Sequence, residues 1–208
     1  MFNLKSCAAG ALVLALAGGA NASALVADGT FSEGSSAGAF TTIFTNGTIG
    51  AWTVTDGSVD LIGSYWAQPT GSYSIDLDGN SPGAISQGLD LAAGSYQLGF
   101  WMAGNPAGGD ATKSVQVTVG GSVQTFTFST TGHSTGDMGY TFETLAFSTP
   151  GATTLTFQSL DASGPYGAAI GGVSVSAVPE PASMALLLAG LGMVGMVGVM
   201  ASRRNRSR

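Results

Sequence analysis

The sequence predicts an all-β fold, an antiparallel jelly-roll sandwich, for the stretch between its two apolar chain ends. Three observations carry that prediction. Apolar residues recur at every second position, turn residues interrupt the chain at short intervals, and no segment between residues 25 and 178 shows a helical repeat.

The elements follow in order. Residues 51–55 and 72–77 give the first two strands. In 95–102 the side chains of Tyr96, Leu98, Phe100 and Met102 share one face, and in 114–119 Val115, Val117 and Val119 do the same. Residues 122–129, 141–147, 153–160 and 170–176 complete the set, separated by Gly, Asn, Asp or Pro. Gly120-Gly121, between two alternating runs, predicts a tight hairpin, because both turn positions can take positive φ without a Cβ clash. Many short strands at this spacing belong to sandwiches and jelly rolls.

The chain ends read as targeting segments. Lys5, the apolar run from Cys7 to Ala17 and the small residues Ala22-Ser23-Ala24 form an export signal over residues 1–24, cleaved before Leu25. Cys7 is the only cysteine and lies in that signal, so the exported chain has no disulfide. At the other end, residues 182–201 carry no charge and, at about 1.5 Å rise per residue, span about 30 Å, the hydrocarbon thickness of a bilayer. Arg203, Arg204, Arg206 and Arg208 in the tail 202–208 form a basic membrane stop that stays cytoplasmic, which faces everything before Pro179 outward. The expected partition is therefore a signal over 1–24, a β-sandwich ectodomain over 25–177 and a sorting and anchor segment over 178–208.

The ectodomain is more acidic than the chain's net charge of −6 implies. Of the 12 acidic residues all but Glu180 lie between Asp28 and Asp161, against Lys113 as the sole cation of that stretch. A nucleic-acid partner is excluded on this ground, because phosphate binding requires a basic surface. An extracellular, well-solvated protein fits the charge and the abundance of Gly, Ser and Thr.

Pro179-Glu180-Pro181, the apolar run and the arginine-rich end, in that order, resemble the PEP-CTERM sorting signal of Gram-negative bacteria that make exopolysaccharide. The resemblance implies recognition of Pro179, Glu180 and Pro181 by an exosortase, a transpeptidase-like membrane enzyme. It further implies a helical membrane anchor over 182–201 and a place at the cell surface or in the biofilm matrix. The ectodomain has a resemblance of its own. Asp28-Gly-Thr-Phe31, Trp52 to Thr55, Gly57 to Trp66, Gly71 to Leu77, Gly83 to Gln87 and Gly167 to Val175 look like the choice-of-anchor C family, which is similar to plant cell-wall proteins with galactose-binding-like domains. That resemblance implies a galactose-binding-like jelly roll and an association with polysaccharide.

Related sandwiches hold a structural calcium partly through an acid after the first Phe and an acid in the last strand. Here Ser32 follows Phe31, Glu33 is displaced by one place, and the last strand reads Ile170-Gly-Gly-Val173. No cofactor is expected, with a structural calcium put in doubt by these changes. Asp76-Leu-Asp-Gly-Asn80 imitates the start of a calcium loop, but Gln87 stands where a bidentate Glu would close it. Alternation turns Tyr73, Ile75 and Leu77 inward and Asp76 and Asp78 outward, which predicts a solvated strand end instead.

Sugar recognition needs an aromatic platform and a few hydrogen-bonding groups. Tyr65 and Trp66 in a Gly-Ser-rich loop, with Gln68 nearby and Tyr166 as a second wall, are the candidate carbohydrate-binding residues, against the competing reading that they pack the core. Trp52 and Trp101, flanked by strand residues, read as packing. No catalytic residues are assigned. Ser-His-Asp chemistry would have to run through His133, and Gly132-His-Ser-Thr-Gly-Asp137 is a glycine-rich loop that does not hold a triad. The sequence therefore reads as an exported, exosortase-sorted matrix protein, structural or carbohydrate-binding. A polysaccharide-modifying enzyme and a non-binding spacer or assembly subunit are the alternatives.

Overall fold

The computed structural model describes residues 24–35, 38–69, 73–162 and 164–179. The predicted export signal up to Ser23, the membrane segment 182–201, the arginines and Glu180-Pro181 of the sorting motif lie outside the described residues.

Twelve strands form two six-stranded sheets. They are β1 (Phe40–Phe44), β2 (Thr48–Ile49), β3 (Trp52–Asp56), β4 (Ser58–Ile62), β5 (Ser74–Asp76) and β6 (Ala84–Leu89), followed by β7 (Gly94–Gly104), β8 (Thr112–Val119), β9 (Ser122–Ser129), β10 (Thr141–Thr149), β11 (Thr153–Ser159) and β12 (Ala168–Ala177). One sheet runs β1-β4-β5-β12-β7-β10 and the other β2-β3-β6-β11-β8-β9, and all their pairings are antiparallel. From β5 to β12 the chain changes sheet at every connection but the β8–β9 hairpin. This is the jelly-roll sandwich that the alternation predicts.

The eight predicted strands are all present, and β1, β2, β4 and β6 add to them. Their absence from the sequence reading has a physical cause. All five residues of β4 are buried, Asp60 included, because loops cover its outward face; the run Ser-Val-Asp-Leu-Ile alternates for only four residues before Ile62 breaks the pattern. At the predicted hairpin Val119 pairs with Ser122, and Gly120 and Gly121 have φ of 56° and 79°.

The inward faces meet in an aromatic chain that crosses the sandwich. Phe31 contacts Trp52 at 5.5 Å, Trp52 contacts Phe157 at 6.0 Å, and Phe157 and Phe126 each meet Phe100 edge-on at 5.1 Å. Trp52 thus packs the core, as its strand context predicts, and its indole donates to the Asp28 carbonyl at 3.1 Å. Trp101 lies on the outer face of its sheet, half-buried against Phe142 at 5.2 Å. The chain start docks where β12 bulges between Gly171 and Ser174. Val173 donates to the Gly29 carbonyl at 2.8 Å, and a Cβ at Gly29 would lie 1.9 Å from the Val173 carbonyl oxygen.

Phe100 and Phe142 separate core packing from surface contact. Phe100→Ala in the full-length chain is expected to cost about 3–5 kcal/mol in urea unfolding, the usual cost of a large aromatic cavity. Phe142→Ala, on a side chain 51% exposed, is expected to cost less than about 1.5 kcal/mol. Equal losses would show that the aromatic chain is not the seat of stability.

Candidate functional site

The site is built at one end of the sandwich, on the outer face of the sheet that contains β12. Across that face, register places Thr42 beside Asp60, Asp60 beside Asp76 and Asp76 beside Ala169. Loops then fold over the row. The Asp76 carboxylate joins three of them: Oδ1 accepts the backbone N–H of Asp78 at 3.1 Å and of Gly167 at 3.0 Å, and Oδ2 accepts the Asn105 amide at 2.8 Å. A Cβ at Gly167 would lie 2.6 Å from the Asp78 carboxylate and 2.8 Å from Asp76 Oδ1, so only glycine fits there.

Asp76 and Asp78 are 1% and 0% exposed, which corrects the prediction of a solvated strand end. Alternation does turn Asp76 out of the core, but the loops after β5, β7 and β11 enclose it. Burial pushes its carboxyl well above the ordinary 3.8, and the three N–H donors offset only part of that rise. Burial also raises Asp78 to about 6, with the Asp161 charge adding to the rise while Ser159 and Lys113 oppose it. Both Asp78 oxygens are buried with no hydrogen-bond partner among the described residues.

Lys113 reaches this end from the other sheet. It shares the inward face of β8 with Val115, Val117 and Val119 and is 1% exposed. Its ammonium donates to the carbonyls of Gly108 at 2.8 Å and Tyr166 at 2.5 Å. Lys113, the sole cation between residues 25 and 178, thereby ties the β7–β8 loop to the loop before β12. The Tyr166 ring lies close over Gly108, where a Cβ would approach it to 2.6 Å.

Between these loops lies a cavity of about 240 Å³ lined by Phe40, Asp60, Ile62, Tyr65, Asp76, Gly79, Asn80, Asn105, Pro165 and Tyr166. The structure brings Tyr65 and Tyr166 together there, with Phe40 beside Tyr65 at 5.7 Å. The other two candidates are placed differently. Trp66 is 4% exposed and donates from its indole nitrogen to Ser74 Oγ at 2.9 Å, so it packs the loop onto the sheet. The Gln68 amide donates to the carbonyls of Ile62, Gly63 and Trp66, which fixes the loop and leaves no donor for a ligand. Sequence reasoning missed Phe40, Asp60, Asn80, Asn105 and Pro165. None of them carries a local signal; Asp60 stands at a polar position of the alternating run Ser-Val-Asp-Leu and so reads as solvated.

His133 forms no catalytic pair among the described residues. Its ring packs against Phe128 at 5.3 Å, its buried Nδ1 has no partner, and Ser134 and Asp137 bond to each other. Among the described residues no group of three or more His, Cys, Asp or Glu is placed to hold a metal ion. Near the expected calcium position, Asp28 accepts from the Ser32 hydroxyl and the Glu33 N–H, and Gln87 exchanges two 2.8 Å hydrogen bonds with the Ala27 backbone.

Two predictions follow from these placements. Trp66→Ala is expected to destabilise the full-length chain by about 3–5 kcal/mol in urea, and Tyr65→Ala by less than about 1.5 kcal/mol; a folded, fully stable Trp66→Ala protein would return Trp66 to the list of ligand contacts. The second concerns acid. Asp60, Asp76, Asp78 and Asp161 all carry carboxyls raised chiefly by burial. Between the unfolded value of 3.8 and the folded value of about 6, folded Asp78 holds a proton that the unfolded chain has released, so stability falls as pH rises through that window. The melting temperature is expected to rise when pH is lowered from about 7 to about 5. Asp78→Asn is expected to raise it at pH 7 and to shrink the acid gain. Because Asp76, Asp161 and Lys113 face the same end, the difference between the two proteins isolates Asp78 from general relief of acidic repulsion. An acid gain unchanged in Asp78→Asn would assign it to the other carboxylates.

Comparison with known proteins gives the chain its family. A stretch of 137 residues, 64% of this chain, is 36% identical to halomucin of Haloquadratum walsbyi, and the match spans only 1% of that protein. Among solved structures the chain is similar to TmCBM61 in complex with β-1,4-galactotriose, with a TM-score of 0.46 and 16% identity, covering 75% of this chain and 99% of that one. It is also similar to a family 35 carbohydrate-binding module from Clostridium thermocellum, with a TM-score of 0.46 and 16% identity over 66% of this chain and 99% of that one. The PEP-CTERM protein-sorting motif matches residues 177–204. Residues 24–176 match the family described as a protein of unknown function, DUF642, and the chain belongs to that family.

Proposed function

We propose that this chain is an exported, non-catalytic protein that binds carbohydrate in the cavity between Tyr65 and Tyr166 and is sorted through its C-terminal motif. The cavity is the observation that carries the reading. Its aromatic walls suit the apolar faces of a sugar ring, and Asp60, Asn80 and Asn105 supply polar groups for ring hydroxyls. At about 240 Å³ it is smaller than the roughly 300–1,000 Å³ of pockets for drug-sized ligands, a volume that suits one sugar residue of a longer chain.

The direction of β12 supports display at a surface. Its first residues adjoin the cavity, through Gly167 and Asp76, and its last leads to Val178, whose N–H donates to the Ser95 carbonyl at the opposite end of β7. β12 runs alongside β7 with one bulge between Gly171 and Ser174, so the cavity and Val178, which leads on to the sorting motif, stand at opposite ends of the sandwich. In this reading the signal over 1–24 exports the chain, the segment 182–201 anchors it, an exosortase processes Pro179-Glu180-Pro181, and the domain 25–177 meets extracellular polysaccharide in the biofilm matrix of a Gram-negative bacterium.

Retention of the full-length chain on the producing cell's own exopolysaccharide tests the reading. Tyr65→Ala and Tyr166→Ala are each expected to weaken retention several-fold to about tenfold, the scale of one lost aromatic contact, while the proteins stay folded. Unaltered retention in both variants would remove this cavity as the binding site. Cleavage or deacylation of the polysaccharide by the unaltered chain would favour a modifying enzyme instead.

A further inference from the structure

We infer that the cavity selects a sugar residue bearing a protonated amine, a hexosamine with its amino group free. This inference rests on the carbohydrate-binding reading and concerns the chemistry of the occupant. Charge around the cavity is one-sided. Asp60 and Asp76 line it, whereas the ammonium of Lys113 is turned to the Gly108 and Tyr166 carbonyls on a side chain 1% exposed.

The two carboxylates differ in what they leave free. Both oxygens of Asp76 accept hydrogen bonds from Asp78, Gly167 and Asn105. In Asp60, Oδ1 accepts the Thr42 hydroxyl, while Oδ2 has no protein partner among the described residues and is not sealed from solvent. Asp60 therefore presents one accessible acceptor at the cavity. Phe40, Tyr65 and Tyr166 line the same space, with Phe40 and Tyr65 edge-on to each other. A carboxylate among aromatic rings is complementary to an ammonium group, which gains a charge-assisted hydrogen bond and the attraction of the ring quadrupoles together. A hydroxyl or an N-acetyl group gains neither in full. A uronate or sulfate would set like charge against Asp60.

Calorimetric titration of the full-length chain in detergent tests this with three oligosaccharides of equal length: glucosamine, N-acetylglucosamine and galacturonate. The titrations run at about pH 6, where most of the sugar amines are protonated although the adjacent ring oxygens make them less basic than a lysine, once with calcium and once with a chelator. The glucosamine oligomer is expected to bind about tenfold more tightly than its N-acetylated counterpart, and galacturonate not to bind in either buffer. Asp60→Asn keeps the side-chain shape and is expected to bring the first two affinities within about twofold of each other, chiefly by weakening the glucosamine oligomer.

Equal or tighter binding of the N-acetylated oligomer overturns the inference. So does calcium-dependent binding of galacturonate, or a preference for glucosamine that survives Asp60→Asn and so reflects only the chain's overall acidity. If that variant does not fold, the comparison of oligomers on the unaltered chain decides the matter. Binding of neutral sugars without an amine preference would leave the carbohydrate-binding reading standing, whereas no binding of any of the three, or of the exopolysaccharide, would remove both.

Discussion

The carboxylate of Asp76 holds together three stretches of chain that are distant in sequence. Its acceptors reach Asp78 two residues on, Asn105 after β7 and Gly167 before β12. A buried carboxylate is costly unless it is hydrogen-bonded, and the cheapest source of donors at this end is the backbone of the loops themselves. Satisfying Asp76 therefore draws the loops onto the outer face of the sheet. The cavity between Tyr65 and Tyr166 is the space that this arrangement leaves.

Lys113 performs the matching task from the opposite sheet. A lysine on the inward face of a strand is unfavourable in the middle of a sandwich, where no acceptor is within reach. At the end of β8 its ammonium finds the carbonyls of Gly108 and Tyr166 and stands near Asp78 and Asp161. The one cation and the buried acids thus occupy a single end of the domain. The other end, where Val178 meets Ser95, leads to the sorting motif and consists of strand termini and the glycine hairpin. Polar burial is concentrated where the cavity lies, and that concentration stores the acid-sensitive part of the stability.

Much of this was legible along the chain. The inward faces of β7 and β8 follow from alternation, and continuing the β8 pattern by one step from Val115 places Lys113 inward as well. The glycine hairpin follows from backbone sterics alone. Tyr65 and Tyr166 were recognisable as aromatic residues in glycine-rich loops. Trp66, one residue from Tyr65, carries the same local signal and yet lies under the loop, because its indole has Ser74 to bond. Asp60, Asp76 and Asp78 each carry the local signature of a solvated residue and are buried only because loops from elsewhere cover them.

The sequence by itself determined the all-β architecture, the place of the sorting motif after the domain, and the acidity of that domain. Each of these depends on residue types and on period, and both are local properties. Only the tertiary structure decided which aromatic residues face a cavity and which acid keeps a free oxygen. It also decided that the cavity lies at the end of the sandwich away from Val178. Those outcomes depend on contacts between segments as far apart as Asp76 and Gly167, whose pairing follows from strand order and loop closure and leaves no periodic trace in the chain.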